Sequence, residues 1–160
     1  MKRNAKNALG LTFALLTCYG AAALGGLSTS GSVQDWYQTL AKPSWNPPGW
    51  VFGPVWTALY GMMAVSVWLV WLERRRKLVV APLSLFAVQL AFNATWSPLF
   101  FGLHLPGLAF ADIVLLWLSL AVTVYLFFKQ RPAAGLLLVP YLLWVSFATA
   151  LNFAIWRLNA

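Results

Sequence analysis

Acidic side chains are nearly absent from this chain: Asp35, Glu73 and Asp112 are the only three in 160 residues, against eleven Lys and Arg. Cysteine and histidine occur once each, as Cys18 and His104. A lone cysteine excludes an internal disulfide, and together with a lone histidine it leaves no ligand set for a zinc-type metal. Cys18 reads as a small packing residue. Three scattered carboxylates, and a histidine in a short loop without a nucleophile beside it in sequence, supply none of the usual catalytic arrangements. Charge of either sign is also scarce, at 9% of residues, whereas a soluble domain carries about 25%. Water is therefore not the main solvent of this chain.

Apolar residues make up 61% of the sequence, and they fall into five stretches, at 8–28, 51–73, 80–103, 107–128 and 133–156. Each is near the ~20 residues an α-helix needs to cross hydrocarbon. A β-barrel would alternate apolar and polar residues, yet Ile113 to Leu120 is apolar almost throughout. Inside a bilayer each segment must satisfy its own peptide groups, so each stretch is predicted to be a helix. The expected fold is an all-α membrane protein, a five-transmembrane-helix bundle with a long loop between helices 1 and 2. Residues 1–160 form a single transmembrane domain, with nothing left over for a soluble one.

The net charge of +8 raises nucleic acid as a partner, and Arg74, Arg75, Arg76 and Lys77 form a basic cluster. That cluster fills a short turn between apolar stretches, where Lys and Arg mark the cytoplasmic side. With five spans, one side holds Lys2, Arg3, Lys6, Arg74, Arg75, Arg76, Lys77, Lys129 and Arg131, and the other only Lys42 and Arg157. This places the N-terminus in the cytoplasm and the C-terminus outside, makes anionic headgroups rather than nucleic acid the partner of these charges, and favours a bacterial inner membrane.

The basic start, apolar run and small residues Ala21, Ala22, Ala23, Gly25 and Gly26 also match a cleavable signal. The run is long enough to span, and the Ala21–Gly25 and Ala22–Gly26 spacings suit close helix packing, so retention is expected. The lid loop, 29–50, opens on Ser and Gly. It continues through Gln34 to Leu40, which can form a short amphipathic helix, and ends in Lys42-Pro43-Ser44-Trp45-Asn46-Pro47-Pro48-Gly49-Trp50. Three prolines fix φ and remove donors, which predicts an irregular, stiff strap. Its tryptophans suit an interfacial belt, a cover over a cavity, or both.

Polar groups at membrane depth cost a few kcal/mol, on the order of 2–3, when unpaired. In the third span Gln89, Asn93 and Trp96 share one helical face. Ala87, Ala91 and Thr95 share the opposite one, which can approach another helix of the same chain or of a second copy. A homodimer is favoured there. Trp56, Thr57 and Tyr60 open the second span, Asp112 lies near the start of the fourth, and Tyr141, Trp144, Ala148 and Asn152 lie close to one stripe of the fifth. Converging, these would line a pocket with aromatic walls and a few amide, hydroxyl and carboxylate groups, suited to a flat apolar ligand with polar edges. Gln89, Asn93 and Asn152 could equally serve only to bond helix to helix.

These residues resemble the TspO/translocator protein family, also called tryptophan-rich sensory proteins or peripheral-type benzodiazepine receptors. The resemblance runs through Trp36-Tyr37, the strap and the stretch Val51-Phe52-Gly53-Pro54-Val55-Trp56-Thr57-Ala58-Leu59-Tyr60. It continues in Gln89 to Phe101, Pro140 to Trp144 and Leu151 to Asn159, nearly the whole chain in order. It implies a five-helix fold, commonly dimeric, that binds porphyrins and haem under the first loop. In animal members it also implies binding of cholesterol and of benzodiazepine-type or isoquinoline ligands.

By position, the ligand-binding residues implied are Tyr37, Trp45, Trp56, Asn93, Trp96, Asp112, Trp144, Ala148 and Asn152. No resident cofactor or metal is implied, with porphyrin or haem as ligand. The family's sterol pattern has Tyr between Leu and Arg, where this chain has Phe153 between Leu151 and Arg157, so only weak sterol binding is expected. Some bacterial relatives degrade porphyrin in light. Any such chemistry here would fall to the matching Trp56 and Trp144, through the indoles and bound pigment. A receptor or sensor with a regulatory or tetrapyrrole-handling role leads this reading. Light-dependent degradation is the alternative, and porphyrin or sterol transport a further one, for which no inverted repeat is visible.

Overall fold

A helix that crosses lipid must close all its own backbone bonds, and it must also find partners for its hydroxyls. The chain does both in place. Thr17 donates to the Phe13 carbonyl at 2.8 Å, Thr123 to Ser119 at 2.7 Å and Thr149 to Val145 at 2.7 Å, each reaching back one turn. The computed structural model describes residues 2–33, 35–75 and 77–160, with side chains from Asn4 onward within these. Expectations that concern Gln34, Arg76 and the side chains of Lys2 and Arg3 lie outside the described residues.

Among the described residues there are six α-helices and no strand: α1 Lys2–Ser30, α2 Trp36–Thr39, α3 Phe52–Leu72, α4 Val80–Ser97, α5 Pro106–Gln130 and α6 Pro132–Leu158. Short 3-10 turns at Gly49–Val51 and Glu73–Arg75 flank α3, and a π-helical turn, Pro98–Gly102, extends α4. Four segments are long and apolar enough to cross a membrane, namely Asn4–Ser30, Gly49–Arg75, Pro106–Gln130 and Pro132–Leu158. The remaining long helix, α4, carries Gln89 and Asn93, both buried, and these polar side chains leave it outside that set.

Prolines mark the helix starts. Pro106 and Pro132 occupy the first helical positions of α5 and α6, where a missing N–H costs nothing. α5 packs on α6 and on α4, α1 packs on α3 and α4, and α3 packs on α6. At one end the turn after α3 meets the turn between α5 and α6. There Lys77 Nζ donates to the Gln130 carbonyl at 2.5 Å, Gln130 Nε2 donates to Leu78 at 3.0 Å, and Arg131 pairs with Glu73 at 3.7 Å. The expected cluster of cations therefore shares one end of the bundle.

At the other end the loop differs from expectation in its first part. Residues 28–30 continue α1 instead of forming a flexible opening, because Ser28 and Thr29 fold back onto Leu24 and Gly25 of their own helix. The short helix expected near Gln34–Leu40 is the single turn α2, and the proline strap beyond it is irregular up to Pro48. Asn159, just past α6, clamps the strap. Its Oδ1 accepts from the Ala41 N–H at 2.9 Å while its Nδ2 donates to the Ala41 carbonyl at 2.9 Å.

Small residues set the helix spacing. A Cβ on Gly135 would sit 2.4 Å from Phe128 Cγ, whereas one on Gly20 would meet nothing within 4 Å. Gly135→Ala is expected to destabilise the α5–α6 pair by about 1–3 kcal/mol through overpacking. Gly20→Ala is expected to be neutral or slightly stabilising, since Ala is the better helix former by about 1 kcal/mol. Reversible unfolding in mixed micelles measures both; equal effects would rule out the tight crossing.

Candidate functional site

Three helices are joined at the bundle centre by one chain of side-chain hydrogen bonds. Tyr60 on α3 donates its hydroxyl to Asn93 Oδ1 on α4, Asn93 Nδ2 donates to the Tyr141 hydroxyl on α6 at 2.7 Å, and Tyr141 donates to Gln89 Oε1 at 3.1 Å. All four residues are buried. Above this layer Trp96 Nε1 donates to Asn152 Oδ1 at 2.9 Å, and Asn152 Nδ2 donates to the Pro106 carbonyl at 2.8 Å. The face of α4 that the sequence marked as polar therefore looks inward, and its amides bond helix to helix. Asn93, Trp96 and Asn152 also line a cavity, so the two readings of these amides are compatible.

The cavity holds about 650 Å³, within the ~300–1,000 Å³ range of small-molecule sites. Trp56, Tyr60, Asn93 and Trp96 form its aromatic and amide side, and Ala148, Leu151 and Asn152 of α6 lie across from them. Tyr37 and Gly49 cover the end beneath the strap. Proline at position 98 cannot donate to the α-helical ladder, and the chain widens there into the π turn, with the Leu103 N–H bonded to the Pro98 carbonyl at 2.8 Å. That wider turn brings Phe100 and Phe101 to the cavity wall, with Phe100 stacked on Trp96 at 5.3 Å between ring centres.

The roof is held by aromatic contacts and by hydrogen bonds within the strap. Tyr37 donates to Asn46 Oδ1 at 2.9 Å across the strap. Burial pushes the Tyr37 phenol above its ordinary pKa, partly offset by the Asn46 bond, so it remains a donor at neutral pH. Trp36 stacks on His104 at 4.1 Å and meets Phe100 edge-on. His104 holds the left-handed backbone, φ 56°, that turns the chain into α5. Its Nε2 lies 3.4 Å from Ser32 Oγ, and among the described residues no carboxylate bonds its other ring nitrogen.

Of the residues expected at the ligand, Tyr37, Trp56, Asn93, Trp96, Ala148 and Asn152 line the cavity. Trp45, Asp112 and Trp144 do not. Trp45 is half exposed and edge-on to Phe147. Asp112 lies between α5 and α4, where Oδ1 accepts from Thr95 Oγ1 at 2.8 Å and buried Oδ2 has no partner. Trp144 packs edge-on against Phe52 at 5.8 Å, with its Nε1 buried and unpaired. The indoles singled out for light-driven chemistry are thus divided, Trp56 on the wall and Trp144 behind Phe52. Ala87, Ala91 and Thr95 are exposed on the outer face of α4.

Sequence reasoning missed the contribution of α1. Tyr19, Ala22 and Gly26 line the cavity, and their i, i+3, i+7 spacing marks one helical face. Of these, Ala22 and Gly26 read from sequence as helix packing or a cleavable signal, and Tyr19 has no role assigned from sequence. Gly25 does serve packing, since a Cβ there would sit 3.3 Å from Ser97 Oγ of α4.

A bundle of apolar helices enclosing a tryptophan- and amide-lined cavity defines an integral membrane protein of the helical class. The chain belongs to the TspO/MBR family, whose model matches residues 13–157. It is 42% identical over 158 residues to the tryptophan-rich protein TspO of Chlorobaculum tepidum, covering 96% of this chain and 98% of that one. It is 41% identical over 155 residues to the translocator protein of Homo sapiens, covering 95% and 89%. It is 43% identical over 142 residues to the tryptophan-rich sensory protein of Cereibacter sphaeroides, covering 86% and 87%.

Removing the central amide tests the network. Asn93→Ala leaves the Tyr60 and Tyr141 hydroxyls without their shared partner, and a loss of roughly 1–3 kcal/mol is expected. Tyr60→Phe removes donor and hydroxyl together and should cost less. Unfolding midpoints of the two variants that coincide would show that the network adds nothing beyond packing.

Proposed function

We propose that this protein is a membrane receptor or sensor that takes a porphyrin or haem into the cavity beneath the strap, with a regulatory or tetrapyrrole-handling role. The observation that carries this reading is the cavity itself, walled by Trp56 and Trp96 and covered by Tyr37. Indole faces stack on a flat conjugated ring, and the Asn93 and Asn152 amides offer polar partners at its edge. Among the described residues, tyrosines are the only titratable side chains on the wall, so a ligand's carboxylates would sit at the mouth. Lys42 lies there, its Nζ 4.9 Å from the Tyr37 ring. A relative carries the name sensory protein, in keeping with a signalling role. With Trp144 off the wall, binding is better supported than photochemical degradation.

In this reading α4 is the fifth span. Its 18 residues rise roughly 27 Å and the π turn extends it further, close to the ~30 Å of bilayer hydrocarbon. Its amide side chains, Gln89 and Asn93, face the bundle, away from lipid. The basic end then lies in the cytoplasm and the strap outside, as in a bacterial inner membrane. A homodimer would use Ala87, Ala91 and Thr95, a sterol would bind weakly, and no resident cofactor is required.

Titration with protoporphyrin, read as saturable quenching of tryptophan fluorescence, tests the site. Trp56→Ala is expected to weaken binding by about tenfold or more, roughly 1.4 kcal/mol. Trp144→Ala is expected to change it by less than about threefold, roughly 0.7 kcal/mol. Unchanged affinity in Trp56→Ala would sink the assignment.

A further inference from the structure

A second recess lies at the opposite, basic end of the bundle, between α1, α3 and α4, with a volume of about 520 Å³. It shares no lining residue with the aromatic cavity. Its walls are apolar, formed by Phe13 and Ala14 of α1, Trp71 of α3, and Phe86, Ala87 and Leu90 of α4. Two cations, Lys6 and Arg74, stand at its end. None of the three carboxylates in the sequence lines it.

The arrangement is built from the backbone outward. Gly10 lets the Trp71 ring lie against α1, because a Cβ there would fall 2.5 Å from the ring. Trp68 Nε1 donates to the Asn7 carbonyl at 2.9 Å and ties the start of α1 to α3. On the Trp71 ring rests the Arg74 guanidinium, its carbon 3.3 Å from the ring centre, with Nη1 donating to the Trp71 carbonyl at 2.9 Å. The arginine is thereby held in one place and keeps other donors for a ligand.

Among the described residues, three other cations at this end are engaged elsewhere, Lys77 on the Gln130 carbonyl, Lys129 over Tyr125 and Arg131 with Glu73, and Arg75 is exposed and does not line the recess. From Lys6 to Thr17, both on the wall, α1 rises roughly 16 Å, about half of a ~30 Å hydrocarbon core and so the depth of one leaflet.

We propose that this recess is a discrete binding site for one anionic phospholipid of the leaflet at the basic end. Lys6 and Arg74 hold the phosphate, and one acyl chain lies along Phe13, Ala14, Phe86 and Leu90. A zwitterionic headgroup would bring its ammonium toward two cations with no carboxylate to receive it. A second copy of the chain fits less well, since a symmetric contact would set the same cations against each other.

Native mass spectrometry of the full chain, released from micelles with equal amounts of phosphatidylglycerol and phosphatidylcholine, tests this. One phosphatidylglycerol is expected to be retained in preference to phosphatidylcholine. Lys6→Gln and Arg74→Gln should each cut the preference by about fivefold, the effect of one basic side chain near a lipid charge. Lys129→Gln, a cation outside the recess, should leave it in place. Ala87→Phe fills the groove from an exposed position and should release both lipids. Lys6 is exposed on the first turns of α1, so its neutralisation leaves the fold intact and the test decisive. Equal retention of the two lipids by the unmodified protein would overturn the proposal, as would a loss in Lys129→Gln as large as in Arg74→Gln.

Discussion

Lipid gives a buried amide or hydroxyl nothing to bond with, and the centre of this bundle is organised around that constraint. Gln89 and Asn93 would be costly on any face of α4 that met hydrocarbon. They fix its rotation, because only one orientation sets both against the hydroxyls of Tyr60 and Tyr141. A leucine-lined interface would slide at little cost, whereas a hydrogen-bonded one holds its register. With α4 hydrogen-bonded to both α3 and α6, the gap above the bonded layer cannot close by repacking. It persists as the cavity, and Trp96 is kept on its wall by the Asn152 amide.

The sequence made much of this legible, for a reason specific to membranes. Polar residues are so rare in these spans that each one carries information. The spacing of Gln89, Asn93 and Trp96 was enough to orient α4. The prolines after Lys42 marked the strap as irregular, and the Lys and Arg excess gathered on one end in the structure. The weaker readings came where residue type says little about direction. Trp144 and Trp45 look as suitable for a ligand as Trp56, yet a rotation of less than one turn separates a wall position from a packing one. Trp144 fell behind Phe52. Asp112 was drawn to the Thr95 hydroxyl on the neighbouring helix, a pairing that no periodicity within α5 could reveal.

Glycine and alanine were ambiguous for another physical reason: a missing side chain serves close packing and open space equally well. Gly10 meets the Trp71 ring, Gly26 faces the cavity, and Gly25 does both, meeting Ser97 while lining the cavity. Only the partner distinguishes them, and the partner lies on another helix. The π turn at Pro98 was equally hidden. A proline there could have ended the helix or kinked it, and the widened turn that delivers Phe100 and Phe101 depends on the Leu103 N–H reaching back to the Pro98 carbonyl.

The two ends of the molecule solve opposite problems with the same side-chain type. Beneath the strap, Trp56 and Trp96 face inward, on a wall whose titratable groups among the described residues are tyrosines, so the cavity offers flat aromatic surface without charge. At the basic end, Trp71 faces a recess and carries the Arg74 guanidinium on its own ring, so this hollow offers a positive charge at its end. The separation follows from the bonded layer formed by Tyr60, Asn93, Tyr141 and Gln89. That layer fills the bundle between the two hollows, and no side chain lines both. A ligand in one can influence the other only by moving α1, α3 or α4, the three helices common to both walls. Of these, α1 has no amide bonded into the central layer, and its side-chain ties to α3 are Tyr19 to the Thr57 carbonyl and the Asn7 carbonyl to Trp68. Among the described residues, α1 therefore has the fewest polar bonds to break of these three helices, and motion of this helix is the physical route by which occupancy of one hollow would reach the other.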